Sequence, residues 1–289
     1  MYKILVTGSK GQLGSELREL SCGFQQYHFF FTDIEELDIT NKARVQEFIS
    51  VHQVNAIINC AAYTNVDKAE SELAKAYEIN HLAVKYLAEV SIENNCKLVH
   101  ISTDYVFDGI QSIPYLETDK TNPQGVYGSS KLAGELAMIH VNPLNSIIIR
   151  TSWVYSTFGN NFVKTMMTLG NTRDEINVID DQFGSPTYAM DLAQVILELL
   201  PKINNSNVEI YHFSNEGECS WFDFATAIFH FANINCKVNP IDTSQYPTAA
   251  KRPPYSILNK SKIKETYKIV IPFWKDSLKD CIGNMNNLK

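Results

Sequence analysis

Tyr127 and Lys131 stand four residues apart in a segment with a helical pattern, so both side chains lie on one face of the helix. Reduction of a ketone needs a proton donor beside the carbonyl oxygen while hydride reaches the carbon. A phenol, with an ordinary pKa of about 10, suits this role when a neighbouring cation stabilises the phenolate. We therefore predict that Lys131 lowers the pKa of Tyr127 and that the pair performs acid–base chemistry on a carbonyl.

A second hydroxyl group comes from Ser102-Thr103, where the fourth predicted strand (97–102) ends. The carboxyl ends of the strands in a doubly wound sheet border the ligand crevice, so we expect Thr103 to face the same carbonyl as Tyr127. The alternative interpretations are a structural role for Thr103, and a surface aromatic residue beside a solvated cation for the Tyr127–Lys131 pair.

Three glycines, Gly8, Gly11 and Gly14, lie between the first predicted strand and the first predicted helix, with Gln12 and Leu13 between the last two. The spacing G-x-x-G-x-x-G permits a tight turn and close approach of the backbone to a pyrophosphate. The N-terminus of the helix then offers N–H donors and partial positive charge. This arrangement predicts a dinucleotide cofactor, whose nicotinamide ribose Lys131 would also hold.

Asp33 ends the second predicted strand, at a distance along the chain that suits a carboxylate bonded to the adenosine ribose hydroxyls. A carboxylate there favours NADH. A neighbouring cation could still accommodate the additional phosphate of NADPH, so both cofactors stay open. The alternative interpretation is that Asp33 is a solvated loop acid.

Short β-rich runs alternate with longer helical patterns through the first half of the chain. This alternation implies right-handed βαβ crossovers and a parallel sheet covered on both faces. We predict an α/β, doubly wound, Rossmann-type fold, with strands at 4–7, 28–32, 56–59, 97–102 and 146–150 and helices at 11–20, 68–93 and 127–140.

After Thr151 the pattern loosens into helical segments at 161–169, 188–200 and 220–232, a turn-rich stretch at 240–254 and a final helix after Pro272. Ser220 and Asp223 predict a capping box at the third of these helices. We expect residues 1–155, with 188–214 returning, to form the dinucleotide-binding domain. Residues 156–187 and 215–289 then form a smaller, mostly C-terminal substrate-binding region.

The composition narrows the class of protein. A net charge of −7 argues against binding to nucleic acid, and 45% hydrophobic residues in 289 suffice for a large core. There is no apolar run near 18 residues and no signal peptide, so we expect a cytoplasmic protein without membrane association. Six scattered cysteines predict buried thiols in a reducing compartment, and the histidines lack the paired spacing of a metal site.

With these residues in hand, the chain resembles the extended short-chain dehydrogenases and, within them, the dTDP-4-dehydrorhamnose reductases. The similarity runs through most of the chain, and several of its longer strings are specific to the subfamily. They are GSKGQLG (8–14), LDIT (37–40), CAAYTNVDKAE (60–70), STDYVF (102–107), YGSSK (127–131), RTSWVY (150–155), GNNF (159–162), GSPT (184–187) and Arg252-Pro253.

The resemblance implies NAD(P)H-dependent reduction of the C4 keto group of a dTDP-linked 4-keto-6-deoxysugar, dTDP-4-dehydro-L-rhamnose. Tyr127 would be the proton donor, Lys131 its partner and Thr103 the carbonyl orienter. The resemblance also places Gly11, Gln12, Leu13, Asp38, Ile39, Ala61, Ala62 and Tyr63 on the cofactor. It places Val66, Thr103, Asp104, Trp153 and Arg252 toward the sugar nucleotide.

Simpler interpretations of five of these residues stay open. Trp153 could be core filler, Arg252 a solvated loop cation and Asp104 a cap for the loop after its strand. Val66 suits the underside of a loop as well as the face of a base. Asp38 could be a helix N-cap, a ligand contact or both.

Two departures from the family pattern bear on assembly and reaction. Some relatives bridge a dimer through magnesium held by glutamates; this chain keeps Glu16 but has Met190 at the position of a second acid, with Asp191 beside it. We therefore expect a monomer or weak homodimer and no metal. Dehydratase and epimerase relatives carry Glu where this chain has Tyr105, which favours simple reduction.

Two other functions compete with the reductase. One is a non-catalytic NAD(P)-binding regulatory subunit, resembling that of methionine adenosyltransferase; the complete set of Thr103, Tyr127 and Lys131 argues against it. The other is a nucleotide-sugar epimerase or dehydratase that retains its NAD. Catalytic turnover and the absorbance of the freshly purified protein separate the three possibilities.

Overall fold

The computed structural model describes residues 1–287. Its strands are β1 (Tyr2–Thr7), β2 (Tyr27–Phe31), β3 (Ala56–Asn59), β4 (Lys97–Thr103), β5 (Ile147–Thr151), β6 (Val154–Tyr155), β7 (Glu175–Ile179), β8 (Phe183–Gly184), β9 (Thr187–Tyr188), β10 (Glu209–His212), β11 (Cys219–Ser220) and β12 (Lys237–Ile241). Its α-helices are α1 (Gln12–Leu20), α2 (Lys42–His52), α3 (Val66–Ala69), α4 (Leu73–Tyr77), α5 (Ala83–Glu93), α6 (Val126–Val141), α7 (Phe162–Gly170), α8 (Ala189–Leu199), α9 (Trp221–Ala232), α10 (Ser261–Tyr267) and α11 (Trp274–Asn287).

Six strands form the central sheet in the order β10-β5-β4-β3-β1-β2, and each neighbouring pair is parallel. The chain runs from β1 outward to β2 and then returns to β3 on the other side of β1. The strand order therefore reverses between β1 and β3, where a doubly wound sheet binds its ligand. The predicted α/β Rossmann-type fold is confirmed.

Helices cover both faces of the sheet, because its central strands carry apolar side chains on both faces. Ile4, Leu5 and Val6 of β1 are fully buried and contribute to the cores on the two faces. On one face α8 packs against α1, and β10 extends the sheet beyond β5. Helix α10, which lies much later in the chain, also contributes buried side chains to this core.

A separate core holds the C-terminal elements together. Tyr155, Phe224 and Trp274 lie in it, between α7, α9 and α11. Helix α9 begins with the predicted capping box, in which Ser220 Oγ accepts from Asp223 N and the Asp223 carboxylate accepts from Ser220 N. None of the helices within residues 1–287 combines the length and the apolar character needed to cross a membrane.

Two segments differ from the sequence-based prediction. The single helix expected over 68–93 is divided into α3, α4, a π-helical turn (Glu78–Leu82) and α5. Residues 237–241 pair in parallel with β7, although part of this stretch was expected to be turn-rich. The spacing of polar residues does not distinguish a continuous helix from an interrupted one. Residues 237–241 were not predicted as a strand because they contain Pro240, which is tolerated only in edge strands.

Candidate active site

The glycine turn occupies the switch point of the sheet. Gly8 adopts a left-handed backbone conformation (φ +63°), and a Cβ built on it would lie 2.6 Å from Ala61 N, just after β3. A Cβ on Gly14 would lie 2.5 Å from Gly8 O. Helix α1 starts at Gln12, and its N-cap residue is Gly11. Because glycine has no side chain to cap the helix, the first N–H groups of α1 face the turn. This backbone cradle fits a dinucleotide pyrophosphate.

Asp33 lies directly against the glycine turn. Its Oδ2 accepts a hydrogen bond from Lys10 N at 3.0 Å, and its Oδ1 accepts from Ile34 N at 2.9 Å. The side chain of Lys10 turns instead to Glu35 (2.6 Å) and Glu36 (3.5 Å). The carboxylate is thus bonded to the backbone of the glycine turn, and the neighbouring cation, Lys10, is engaged by two surface acids. The ribose contact stays a prediction.

The segment Ala61–Tyr63 is fixed by one buried amide. Asn80, in the π-helical turn, accepts from Tyr63 N (2.8 Å) and donates to Tyr63 O (3.0 Å) and to Ser130 Oγ (3.0 Å). Ser130 precedes Lys131 on α6. Asn80 therefore ties the predicted cofactor loop to the predicted catalytic helix, a link that sequence reasoning missed.

Asp38 does not cap the helix that follows it. Its Oδ1 accepts from Thr40 N (2.9 Å) and Thr40 Oγ1 (2.7 Å), whereas Asn41 caps α2 through Arg44 N (3.2 Å). The expectation of an N-cap at Asp38 is therefore wrong. Its neighbour Ile39 is buried and packs under the sheet's second face.

Lys131 is a buried cation, 2% exposed, at the carboxyl end of the sheet. Its Nζ donates to Ile101 O at 2.6 Å. Burial lowers the pKa of Lys131 to about 8, although the charge of Glu135 acts in the opposite direction. Glu135 is itself bound to Arg150 and Ser102. The Ser102 hydroxyl therefore donates to a buried carboxylate in the core and is not available to a substrate carbonyl.

Tyr127 does not receive the expected stabilisation of its phenolate. Burial raises the pKa of Tyr127 to about 12, with a smaller opposing effect from the Thr103 side chain. The direction is opposite to the predicted lowering by Lys131, because the effect of burial is the largest. Tyr127 is a protonated phenol at neutral pH, as an ordinary tyrosine also is, and the raised pKa makes it a weaker acid.

Thr103 and Asp104 lie next to Tyr127, where β4 ends and the following turn begins. Thr103 Oγ1 donates to Asp104 Oδ1 at 3.0 Å and accepts from Tyr105 N at 3.2 Å, so Thr103, and not Asp104, caps the turn that follows β4. Asp104 is 3% exposed, and burial raises its pKa to about 6. Its Oδ2 has no hydrogen-bond partner within residues 1–287. The nearby Ser256 hydroxyl, which also has no hydrogen-bond partner within the described residues, opposes the effect of burial on this pKa.

Arg252 is not a solvated loop cation. Its Nη1 and Nη2 bind Asp67 Oδ1 and Oδ2, each at 2.7 Å, and Asp67 also accepts from Ala250 N at 2.9 Å. Asp67 follows Val66, the first residue of α3. The pair fastens the segment 247–254 to α3. No sequence motif pointed to Asp67 in this role.

Trp153 combines packing with strain. It has a left-handed backbone (φ +48°), and its ring stacks on Trp221 at 3.5 Å between centroids. It follows β5, whose Thr151 is paired in register with Thr103. Trp153 is half-buried, so it is partly core and partly wall of the crevice. Strained residues of this kind concentrate at ligand sites.

The acid retained from metal-bridged relatives lies in the interior. Glu16 is 0% exposed, and its Oε1 accepts from Ser156 Oγ at 2.6 Å. Met190 packs against the C-terminal core. Across residues 1–287, no cluster of three His, Cys, Asp or Glu side chains could hold a metal ion. Glu16 therefore joins α1 to the chain after β6 and does not face a partner.

The glycine cradle, the buried Lys131 and the protonated Tyr127 meet at the carboxyl edge of one Rossmann sheet. This combination defines a dinucleotide-dependent reductase of the short-chain type.

Comparison with known proteins agrees with this class. The family model described as RmlD substrate binding domain matches residues 2–287. A dTDP-4-dehydrorhamnose reductase of Aggregatibacter actinomycetemcomitans is 45% identical over 290 residues, or 97% of this chain and 98% of that protein. The chain belongs to the RmlD substrate-binding-domain family.

Two further relatives bear on cofactor and substrate. The crystal structure of dTDP-4-dehydrorhamnose reductase from Bacillus anthracis strain Ames in complex with NADP has a TM-score of 0.93 and 41% identity, covering 98% of this chain and 100% of that one. A dTDP-4-keto-6-deoxy-D-glucose reductase of Streptomyces niveus is 34% identical over 98% of this chain and 97% of that protein. The relatives therefore share a 4-keto group as the reacting centre and differ in the sugar that carries it.

Proposed function

We propose that this protein reduces the C4 keto group of dTDP-4-dehydro-L-rhamnose to dTDP-L-rhamnose with NADPH or NADH, in the synthesis of cell-surface polysaccharide precursors. The observation that carries the proposal is the position of Tyr127 on α6 beside Thr103, which ends β4, with Lys131 one turn further along the same helix. The names of the relatives at 45% and 41% identity support the substrate, and the relative bound to NADP supports the cofactor.

The side chains of this chain divide the chemistry between them. A bound reduced nicotinamide supplies hydride to the sugar C4. Tyr127 donates its proton to the C4 oxygen, and the Thr103 hydroxyl orients that oxygen. Lys131, held at Ile101 O, contributes a positive charge in a site where burial strengthens electrostatic interactions.

The remaining contacts are proposed from their positions. Asp104 would accept from a sugar hydroxyl, Trp153 would pack against the sugar, and Val66 and Arg252 would face the nucleotide part. Residues 1–155 with 188–214 would bind the dinucleotide, and 156–187 with 215–289 the sugar nucleotide. We also propose a cytoplasmic protein, a monomer or weak homodimer, because Glu16 is internal and the six cysteines are free thiols.

A panel of nucleotide 4-keto-sugars against both cofactors tests the proposal, with loss of absorbance at the reduced-nicotinamide band as the readout. The panel includes dTDP-4-keto-6-deoxy-D-glucose, the substrate named for the relative at 34% identity. Tyr127→Phe is expected to lose about 10²- to 10⁴-fold in kcat and to bind NADPH as the parent does. Near-full turnover by this variant would remove Tyr127 from its role.

Two outcomes would point to the competing functions. Binding of NADPH without turnover of any keto-sugar favours a non-catalytic subunit. Freshly purified protein that already carries NAD and needs none added favours an epimerase or dehydratase. The Tyr105 ring, edge-on to Tyr127 at 5.5 Å, stands where those enzymes use a glutamate, which supports reduction.

A further inference from the structure

Lys131 is joined to a chain of buried polar side chains that crosses three strands of the sheet. Thr7 Oγ1 donates to Asn59 Oδ1 at 2.7 Å, and Asn59 Nδ2 lies 3.0 Å from His100 Nδ1. His100 Nε2 lies 3.5 Å from Lys131 Nζ. Thr7, Asn59 and His100 are each no more than 1% exposed, so these groups depend on one another for hydrogen bonds.

The imidazole ring allows the donors and acceptors along this series of hydrogen bonds to exchange roles. A neutral histidine donates from one ring nitrogen and accepts at the other, and an amide can present either its oxygen or its nitrogen. Beside a charged Lys131, which only donates, His100 Nε2 accepts, Nδ1–H donates and Asn59 offers its oxygen to the ring. Beside a neutral Lys131, Nε2–H donates to the amine lone pair and Asn59 offers its nitrogen.

The Thr7 hydroxyl can donate or accept, so it satisfies Asn59 in both arrangements. Every member of the chain is therefore paired whether or not Lys131 carries its proton. A fixed carboxylate partner would favour only the charged form, and an apolar partner only the neutral form.

We propose that His100 is a positioning residue for Lys131, which it holds beside the Ile101 carbonyl in both the charged and the neutral form. Lys131 then keeps the same place whether or not it carries a proton. The inference rests on the proposed reductase function, since it assigns a task to a residue of that same site.

The other ionisable groups that face Lys131 do not adjust in this way. Glu135, one turn further along α6, is already bound by Arg150 at 2.7 Å. Burial raises the pKa of the Cys60 thiol, which stays protonated, and burial likewise raises the pKa of Tyr127. His100 is thus the neighbour whose hydrogen bonding can change with the charge of Lys131.

The test is the pH dependence of His100→Phe, which removes both ring nitrogens. In the parent enzyme we expect kcat to fall as the pH rises through about 8, where Lys131 loses its proton. The hydrogen bond from the ammonium to Nε2 is charge-assisted and therefore stronger than the one that Nε2–H gives to the neutral amine. Its loss disfavours the ammonium more than the amine, so this alkaline limb should move down by about one pH unit. His100→Gln, whose amide oxygen can still accept from the ammonium, should show a smaller shift.

His212→Phe is the matched control. His212 is equally buried, on β10, and its ring bonds the Tyr115 carbonyl, away from Lys131. Its replacement removes a buried histidine from the same sheet and should leave the alkaline limb in place. A His100→Phe protein whose kcat falls equally at every pH, or only in step with its melting temperature, would overturn the proposal.

Binding of NADPH without sugar provides a second measurement. The Kd for NADPH should begin to weaken about one pH unit lower in His100→Phe than in the parent, and an unmoved profile contradicts the role of His100. If no keto-sugar is turned over, the proposed function fails while this measurement still decides the inference. If His100→Phe does not fold, Asn59→Leu, which is similar in size, should shift both profiles in the same direction.

Discussion

Arg252 binds Asp67 through two parallel hydrogen bonds of 2.7 Å that join the 247–254 segment to α3. Paired Arg–carboxylate forks combine strength with geometric specificity. The carboxylate uses both terminal nitrogens of Arg252, so a diphosphate has to extend the pair or displace Asp67. An anionic substrate that binds Arg252 therefore has to compete with, or bind beside, the Asp67 carboxylate.

Arg252→Gln should raise the KM for the nucleotide sugar about tenfold or more, because it removes a charged hydrogen-bond donor. The Kd for NADPH should change less than twofold, since Arg252 contacts Asp67 and Ala250 and not the glycine turn. Steady-state kinetics and a fluorescence titration with NADPH measure the two effects. Equal weakening of sugar and cofactor would contradict this separation.

Asp67 also predicts a feature of acid stability. The hydrogen bonds from Arg252 lower the pKa of Asp67 to about 2, below the value of about 3.9 in an unfolded chain. Its contribution to stability is thus complete above pH 4 and is lost as the pH falls from 4 toward 2. In urea unfolding at pH 2 to 5, Asp67→Asn should lose part of the parent's pH dependence in that window. Glu47→Gln, an exposed change on α2, should retain all of it.

Gly8→Ala should abolish measurable binding of NADPH and lower the melting temperature. The added Cβ would meet Ala61 N at 2.6 Å in a backbone conformation that side chains rarely adopt. Gly23→Ala is the matched control because nothing lies within 4 Å of its Cβ position in residues 1–287. A Gly8→Ala protein with normal affinity for NADPH would show that the cofactor does not use this cradle.

Lys131→Met should produce an inactive protein that is more stable than the parent at pH 7, by about 2 kcal/mol. The pKa of Lys131 is lowered to about 8 in the folded state, so the unfolded chain binds more protons between pH 8 and about 10.4 and stability rises with pH there. The advantage of Lys131→Met should accordingly shrink in urea titrations at pH 10. An advantage that is the same at pH 7 and pH 10 would contradict a charged, buried Lys131.

Gly184→Ala should raise the KM for the sugar nucleotide severalfold and leave the Kd for NADPH unchanged. The new Cβ would lie 2.5 Å from the Trp153 indole, which is already clamped by Trp221. The ring must therefore move, and a shape-complementary wall loses contacts when it is displaced. Intrinsic tryptophan fluorescence should change in parallel, and unchanged kinetics would assign Trp153 to packing alone.

Local patterns predicted the dinucleotide half of the fold well, because buried parallel strands are continuous apolar runs separated by amphipathic helices. Strand β3 has the predicted bounds of 56–59, and the helix expected over 127–140 spans Val126–Val141. The C-terminal half was harder to predict. Its short strands, such as β8 and β11, contain two residues each and depend on contacts between segments that are distant along the chain.

In the candidate site, the sequence located the residues but not their partners. Thr103 ends β4, Tyr127 and Lys131 lie on α6, and the glycine turn follows β1, while their roles in a common site stay a prediction. The Lys131 ammonium, however, lies on a backbone carbonyl, and a carbonyl acceptor leaves no signature in side-chain spacing. Asp67 and His100 were missed for a related reason. Their hydrogen-bond partners, Arg252 and Lys131, are distant from them along the chain.

The place of β10 in the sheet has a consequence for synthesis on the ribosome. Strand β5 is complete at Thr151, but its neighbour β10 begins only at Glu209. At roughly 5–20 residues per second, the Ile147–Ile149 edge stays open for seconds while the intervening chain is translated. An unprotected apolar edge invites pairing with other chains. The nascent protein therefore passes through a stage in which the backbone N–H and C=O groups at this edge of β5 have no strand of their own chain to pair with.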